Sequence, residues 1–113
     1  MMASNGQIWL ANLNPVKKSN EVGKTRPVLV FQNNELNHSD YPTTIIMPLT
    51  TALINDAEPI RIRVNKREGL ERDSDIILTQ IRAIDNRRFI KYIACLSTDE
   101  LSNVKEHFYE IIE

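Results

Sequence analysis

The sequence predicts a mostly β domain (α+β by count): a small, strongly bent antiparallel sheet or partly open barrel with a C-terminal amphipathic helix. Three observations carry that prediction. Six short runs of β-branched and aliphatic residues are separated by stretches of turn-forming residues. The apolar period changes from strand-like to helical only after Ser97. The 113 residues, 42% of them hydrophobic, suit one core, and no linker, repeat or low-complexity tract divides residues 1–113.

The first strand is Gln7-Ile8-Trp9-Leu10-Ala11-Asn12-Leu13, ended by Asn14-Pro15. Trp9 belongs to the core or to a dimer interface. Val16 to Lys24 follows as a long polar loop carrying Lys17, Lys18, Glu21 and Lys24, and long loops in compact domains often carry function. Pro27 to Phe31 is apolar on both faces and therefore reads as a central strand. A turn-rich polar stretch, Gln32 to Pro42, contains His38. In the third strand, Thr43 to Leu49, Pro48 cannot donate to a ladder and marks an edge, a bulge or the strand end.

Ile60-Arg61-Ile62-Arg63-Val64 alternates strictly, with one face buried and the other presenting arginines. After a polar connection around Gly69, Asp75 to Asp85 and Arg88 to Leu96 supply two more strands. Cys95, inside the apolar run Ile93 to Leu96, reads as a buried, inert thiol. Ser97 and Glu100 form a capping-box signature, and Leu101, Val104, Phe108 and Ile111 recur at helical spacing. Asp99 and Glu100 sit in the first turn, where the helix dipole favours them.

Composition excludes several classes. One cysteine allows neither an internal disulfide nor a cysteine metal cage. Asp73 and Asp75 have no partner histidine, so no metal site and no cofactor are expected. His38 and His107 read as exposed bystanders. The N-terminus lacks the charged start and apolar stretch of a signal peptide, and no apolar run approaches the roughly 20 residues of a membrane helix, so the cytoplasm is expected. The net charge is −1, but Arg61 to Lys91 carries nine basic residues against five acidic ones. That surplus of +4 allows one phosphate-friendly face, with the acids of the C-terminal helix on another, or simply a set of strand arginines that solvate a sheet.

Two local features have chemical potential. Proline restrains Arg26 toward extended geometry at the mouth of a central strand, and a guanidinium suits bidentate phosphate recognition. Thr50 and Thr51, at the end of the third strand, carry hydroxyls able to donate to a phosphate oxygen. Taken alone, Arg26 also reads as a structural surface arginine and the threonines as turn caps.

Together these segments resemble a family. Gly6-Gln7-Ile8-Trp9-Leu10 with Leu13-Asn14-Pro15, then Gly23-Lys24-Thr25-Arg26-Pro27-Val28-Leu29-Val30, are similar to the opening of the MazF/PemK-type ribonuclease toxins. Pro48-Leu49-Thr50 matches the next block; Gly69-Leu70, Asp73-Ser74, Gln80-Ile81-Arg82 and Ile84-Asp85 match the later one. The resemblance spans nearly the whole chain, with the blocks in the family's order.

It implies an SH3-like barrel with a C-terminal helix, usually a homodimer. The implied activity is metal-independent, sequence-selective cleavage of single-stranded mRNA by attack of the 2′-hydroxyl, which stops translation. A cognate antitoxin would be the neutralising partner. The family's catalytic arginine falls on Arg26 and its threonine on Thr50; a glutamate common in the first loop falls on Glu21. Some members carry an acid three residues before the arginine of the Gln-x-Arg block, where this chain has Thr79, so that role does not transfer. Lys17, Lys18, Lys24, Thr51, Arg61, Gln80 and Arg82 complete the expected RNA-binding set. Gln80 and Arg82, alternating onto one face of a strand, would line either the substrate groove or the dimer contact. Two other readings stay open: a gyrase-inhibiting toxin of the same architecture, and a non-catalytic SH3-like binding module.

Overall fold

A computed structural model describes residues 3–13 and 25–113 of the chain. Lys17, Lys18, Glu21 and Lys24 lie outside the described residues. Seven strands and two α-helices are found among those described: β1 (Gln7–Asn12), β2 (Thr25–Val30), α1 (Asn34–Asn37), β3 (Thr43–Thr50), β4 (Arg61–Val64), β5 (Ser74–Ile77), β6 (Arg82–Asp85), β7 (Phe89–Cys95) and α2 (Thr98–Ile112). All strand pairs are antiparallel, in the order β4-β5-β3-β2-β1-β7, and β6 also pairs with β3. Among the described residues the sheet does not close into a barrel: β4 and β7 are its two ends.

β3 joins the parts of the sheet. On one edge its residues 46–48 pair with β2; on the other, residues 43–46 pair with β6, and Leu49 and Thr50 pair with Ile76 and Asp75 of β5. The expected single strand from Asp75 to Asp85 is in fact two, β5 and β6, both laid against β3. Between them Leu78–Gln80 forms a 3-10 turn. The register advances by three residues across that turn, from Leu49 opposite Ile76 to Ile46 opposite Arg82. Gln80 therefore sits in a turn and does not alternate with Arg82 along a strand.

Both faces of the central strands are covered. One cluster joins Ile8, Leu29, Met47, Leu49, Ile76 and Leu78 to Val104 of α2, with Leu101, Phe108 and Ile111 packed against it. The other face holds Trp9, Ala11, Val28, Val30, Ile46, Ile84 and Phe89. Successive residues of a strand point to opposite faces, so Val28 and Val30 serve one cluster and Leu29 the other. Leu29 is fully buried, which contributes roughly 1.5–3 kcal/mol relative to exposure. Trp9 is a core residue, edge-on to Phe89 at 5.8 Å, with its indole N–H donating to Gln7 Oε1 at 2.8 Å. Cys95 differs from expectation: it is exposed on edge strand β7, because the alternation there buries its neighbours Ala94 and Leu96 instead.

α2 begins as its sequence dictates. Ser97 Oγ accepts from Glu100 N–H at 3.1 Å, and Glu100 Oε1 accepts from Ser97 N–H at 2.8 Å. Glu100 also takes a bidentate pair from Arg67, with Nη2 to Oε2 at 2.7 Å, which ties the helix start to the β4–β5 connection. That connection is pinned again at Gly69, whose N–H donates to Ile93 O at 2.9 Å. A Cβ at this position would lie 2.9 Å from the same oxygen.

Two stability tests follow from these contacts. Gly69→Ala is expected to cost roughly 1–3 kcal/mol, read as a lower urea midpoint, because a backbone oxygen must move. The Arg67 hydrogen bonds hold the Glu100 carboxyl down, from an ordinary 4.5 to about 2. A depressed carboxyl stabilises the fold fully above its unfolded pKa, and that contribution disappears as pH falls through the folded value. Glu100→Gln keeps the capping box and removes the charge. The variant is expected to be less stable at neutral pH, with the difference vanishing between about 4.5 and about 2. A difference that survives at the acid end would assign the loss to something other than the carboxylate.

Candidate active site

The register of β3 assembles a row of polar residues across the sheet. Arg63 of β4 is paired with Asp75 of β5, and Asp75 with Thr50 of β3. The β2–β3 ladder runs through Val28 opposite Pro48. Continued by two residues, the same register sets Arg26 opposite Thr50. Directly paired residues share a face, so Arg26, Thr50, Asp75 and Arg63 point the same way. Their strand neighbours Val28 and Ile46 belong to the cluster remote from α2, so the row lies on the face away from the helix.

The contacts agree with this register. Pro27 has no N–H to extend the ladder, and Leu49 O instead receives Arg26 Nη1, at a long 3.5 Å. The guanidinium thus reaches the backbone immediately before Thr50, and both side chains are half-exposed. Thr50 Oγ1 accepts from Ala52 N–H at 3.1 Å. With that lone pair occupied, the hydroxyl proton remains available to an acceptor outside the protein. Arg26 and Thr50, proposed from separate segments, are brought together at one end of the β2–β3 pair. Thr51 is exposed beside them.

Arg61, expected in the RNA-binding set, and Arg63, expected on the exposed face of β4, are both engaged by the protein itself. Both are bound to the Asp75 carboxylate, which is only 1% exposed: Arg63 Nε to Oδ1 at 2.6 Å and Arg61 Nη1 to Oδ2 at 3.3 Å. Ile54 N–H donates to Oδ2 as well, at 2.9 Å. Burial pushes the Asp75 carboxyl up, but the bonds from Arg63, Ile54 N–H and Arg61 outweigh it and hold the pKa below the ordinary value. The hydrogen bond to Asp75 raises Arg63 in turn. Arg61, expected as a free RNA contact, is engaged inside the protein through Nη1, although two guanidiniums on one carboxylate leave the cluster a net positive charge. An adjoining surface cavity of about 620 Å³ is walled by these three side chains and residues 54–58.

Arg82 is exposed on β6, opposite Ile46, and so shares the face of Arg26. Gln80 is exposed in the 3-10 turn beside the middle of β3. His38 is exposed, with Nε2 at 2.9 Å from Ser4 Oγ. His107 is not the exposed residue expected: it is half-buried on α2, with Nδ1 at 2.8 Å from Asn103 O and Nε2 at 3.4 Å from Glu58. No cluster of three histidine, cysteine or acidic residues able to hold a metal occurs among the described residues. Asp73 accepts from Lys66 N–H at 2.8 Å. No helix among the described residues is long and apolar enough to cross a membrane.

Sequence reasoning missed Asp75 as the partner of Arg61 and Arg63. The available signal was their alternation on β4 facing a lone acid in the apolar strand Ser74–Ile77, where an unpaired charge is untenable.

Comparison with known proteins agrees with the fold and with the order of the segments. The chain is 37% identical over 107 residues to Endoribonuclease EndoA of Bacillus subtilis (strain 168), covering 94% of this chain and 90% of that protein. Among solved structures it is similar to the Mycobacterium tuberculosis toxin MazF-mt6, with a TM-score of 0.77 at 19% identity, covering 94% of this chain and 95% of that one. A MazE-MazF crystal structure from Deinococcus radiodurans contains a chain matching at a TM-score of 0.79 and 19% identity, covering 99% and 96%. The model of the PemK-like, MazF-like toxins of type II toxin-antitoxin systems matches residues 4–112, and the chain belongs to that family.

Proposed function

We propose that this protein is the toxin of a type II toxin-antitoxin pair. It would act as a metal-independent, sequence-selective endoribonuclease that cuts single-stranded mRNA and so inhibits translation. The observation that carries this reading is the meeting of Arg26 and Thr50 at the end of β2 and β3. A 37%-identical relative is itself named an endoribonuclease. The setting is the cytoplasm. The partners are single-stranded RNA, a second copy of the chain and a cognate antitoxin; a structural neighbour is described in complex with its own antitoxin.

The chemistry needs little covalent machinery. The ribose 2′-hydroxyl attacks the adjacent phosphorus in line, and the bond to the 5′-oxygen breaks. The products are a 2′,3′-cyclic phosphate and a 5′-hydroxyl on the departing strand. Negative charge builds on the non-bridging oxygens as the bond forms. A guanidinium neutralises that charge and a hydroxyl donates to one of the same oxygens, both preorganised before substrate arrives. Arg26 supplies the first and Thr50 the second. Arginine stays protonated and is a poor proton acceptor, so removing the 2′-hydroxyl proton is assigned to Glu21, and water supplies the proton that the departing 5′-oxygen takes up. Of the RNA-binding set, Lys17, Lys18, Lys24, Thr51, Gln80 and Arg82 remain proposed contacts, with Arg82 placed on the same face as Arg26.

Cleavage of a long unstructured RNA in excess chelator, with the cut ends mapped, tests the reading. Arg26→Ala and Thr50→Val are each expected to lower kcat by about 10²–10³-fold, the usual loss for one donor to a developing oxyanion, while the variants stay folded. Full activity in either folded variant would remove that residue from the reaction, and no cleavage of any RNA combined with gyrase inhibition would favour the gyrase-inhibiting reading. Glu21→Gln is expected to flatten the acid limb of the kcat/KM profile, because that limb reports protonation of the base. An unchanged acid limb would assign the proton to another group.

A further inference from the structure

The row that contains Thr50 also contains a buried carboxylate that the cleavage chemistry does not use. Asp75 is paired with Thr50 in the β3–β5 ladder, and its side chain is 1% exposed. A carboxylate so placed is sustained by its partners, and each of them leads to the segment just after Thr50. Ile54 N–H donates directly to Asp75. Arg61, anchored on Asp75, donates onward to Ala52 O at 2.9 Å. Arg63, anchored likewise, donates to Asn55 Oδ1 at 3.0 Å and Ile54 O at 3.4 Å. Ala52 is the residue whose N–H fixes Thr50 Oγ1. Its carbonyl is held by Arg61, so the peptide units around Ala52 are tied on both sides.

We propose that Asp75 is a positioning residue for RNA cleavage: through Arg61 and Arg63 it holds residues 52–55 so that the Thr50 hydroxyl stays aimed at the scissile phosphate. The inference rests on the reading of Thr50 as a donor to that phosphate. It turns two arginines that look like RNA ligands into internal supports. The Arg61 side chain is 18% exposed, with Nη1 already shared between Ala52 O and Asp75. Arg63 spends Nε on Asp75 and Nη2 on the loop. In a transition state held by alignment, releasing this loop costs rate and leaves ground-state RNA binding intact.

The full-length protein is assayed with a fluorescently labelled unstructured RNA, reading the single-turnover rate at saturating protein, the RNA Kd and its salt dependence. Asp75→Asn is expected to slow cleavage by about tenfold or more while Kd and its salt slope stay within about twofold. Arg61→Lys keeps the charge but loses the planar fork, and is expected to slow cleavage severalfold with the same unchanged binding. In a Thr50→Val background, Asp75→Asn is expected to cost less than about twofold, because its effect passes through the missing hydroxyl.

Weaker binding with a flatter salt slope and an unchanged saturating rate would overturn the proposal and make the arginines RNA ligands. An equal rate loss with and without the Thr50 hydroxyl would overturn it too, while leaving Thr50 itself in place. If Thr50→Val alone cleaves at the wild-type rate, the reading of Thr50 fails and the positioning role fails with it. Should Asp75→Asn not fold by circular dichroism, Arg61→Lys decides: a folded variant at full rate overturns the proposal.

Discussion

The register of β3 is the constraint on which the rest of the structure depends. A strand has two edges, and those of β3 are divided among β2, β6 and β5. Shifting it by one residue would turn Met47 and Leu49 out of the helix-side core and Ile46 out of the other cluster. Burial therefore specifies the register. The same register sets Thr50 against Asp75 on one side and in line with Arg26 on the other. The proposed chemistry is thus a by-product of core packing: apolar residues lock the strand, and the strand end carries the hydroxyl.

Prolines shape that end. Pro27 lacks the N–H that would carry the β2–β3 ladder on to Leu49, and Pro48 lies in the last pair before that point. Beyond this point side chains replace backbone bonds: the Arg26 guanidinium meets Leu49 O, and Ala52 N–H meets Thr50 Oγ1. On the far side of the molecule α2 carries the acids Asp99, Glu100, Glu106 and Glu110. These acids are set apart from the face holding Arg26 and Arg82.

Much of the fold was legible because its signals are local. Ser97 and Glu100 specify the start of α2 through bonds three residues apart, and the apolar face of the helix follows from spacing alone. The doubly apolar run around Leu29 marked a central strand for the same reason. Non-local features were not legible. Leu78-Thr79-Gln80 has strand-like composition, and only its docking against β3 shows that three residues leave the ladder as a 3-10 turn. Cys95 sits among apolar neighbours, yet one step of alternation on an edge strand turns it outward. At the site, Arg26 and Thr50 were found through the ordered family blocks, whereas the partnership of Arg61 and Arg63 with Asp75 required the β4–β5 register.

The central claim is that one phosphate receives both the Arg26 guanidinium and the Thr50 hydroxyl. A crystal structure with an RNA carrying a single 2′-deoxy sugar at the mapped cleavage site removes the nucleophile and preserves the rest of the substrate. Both groups are expected within hydrogen-bonding distance, roughly 2.7–3.2 Å, of non-bridging oxygens on that one phosphate. Contacts from the two side chains to different phosphates, or to none, would contradict the claim.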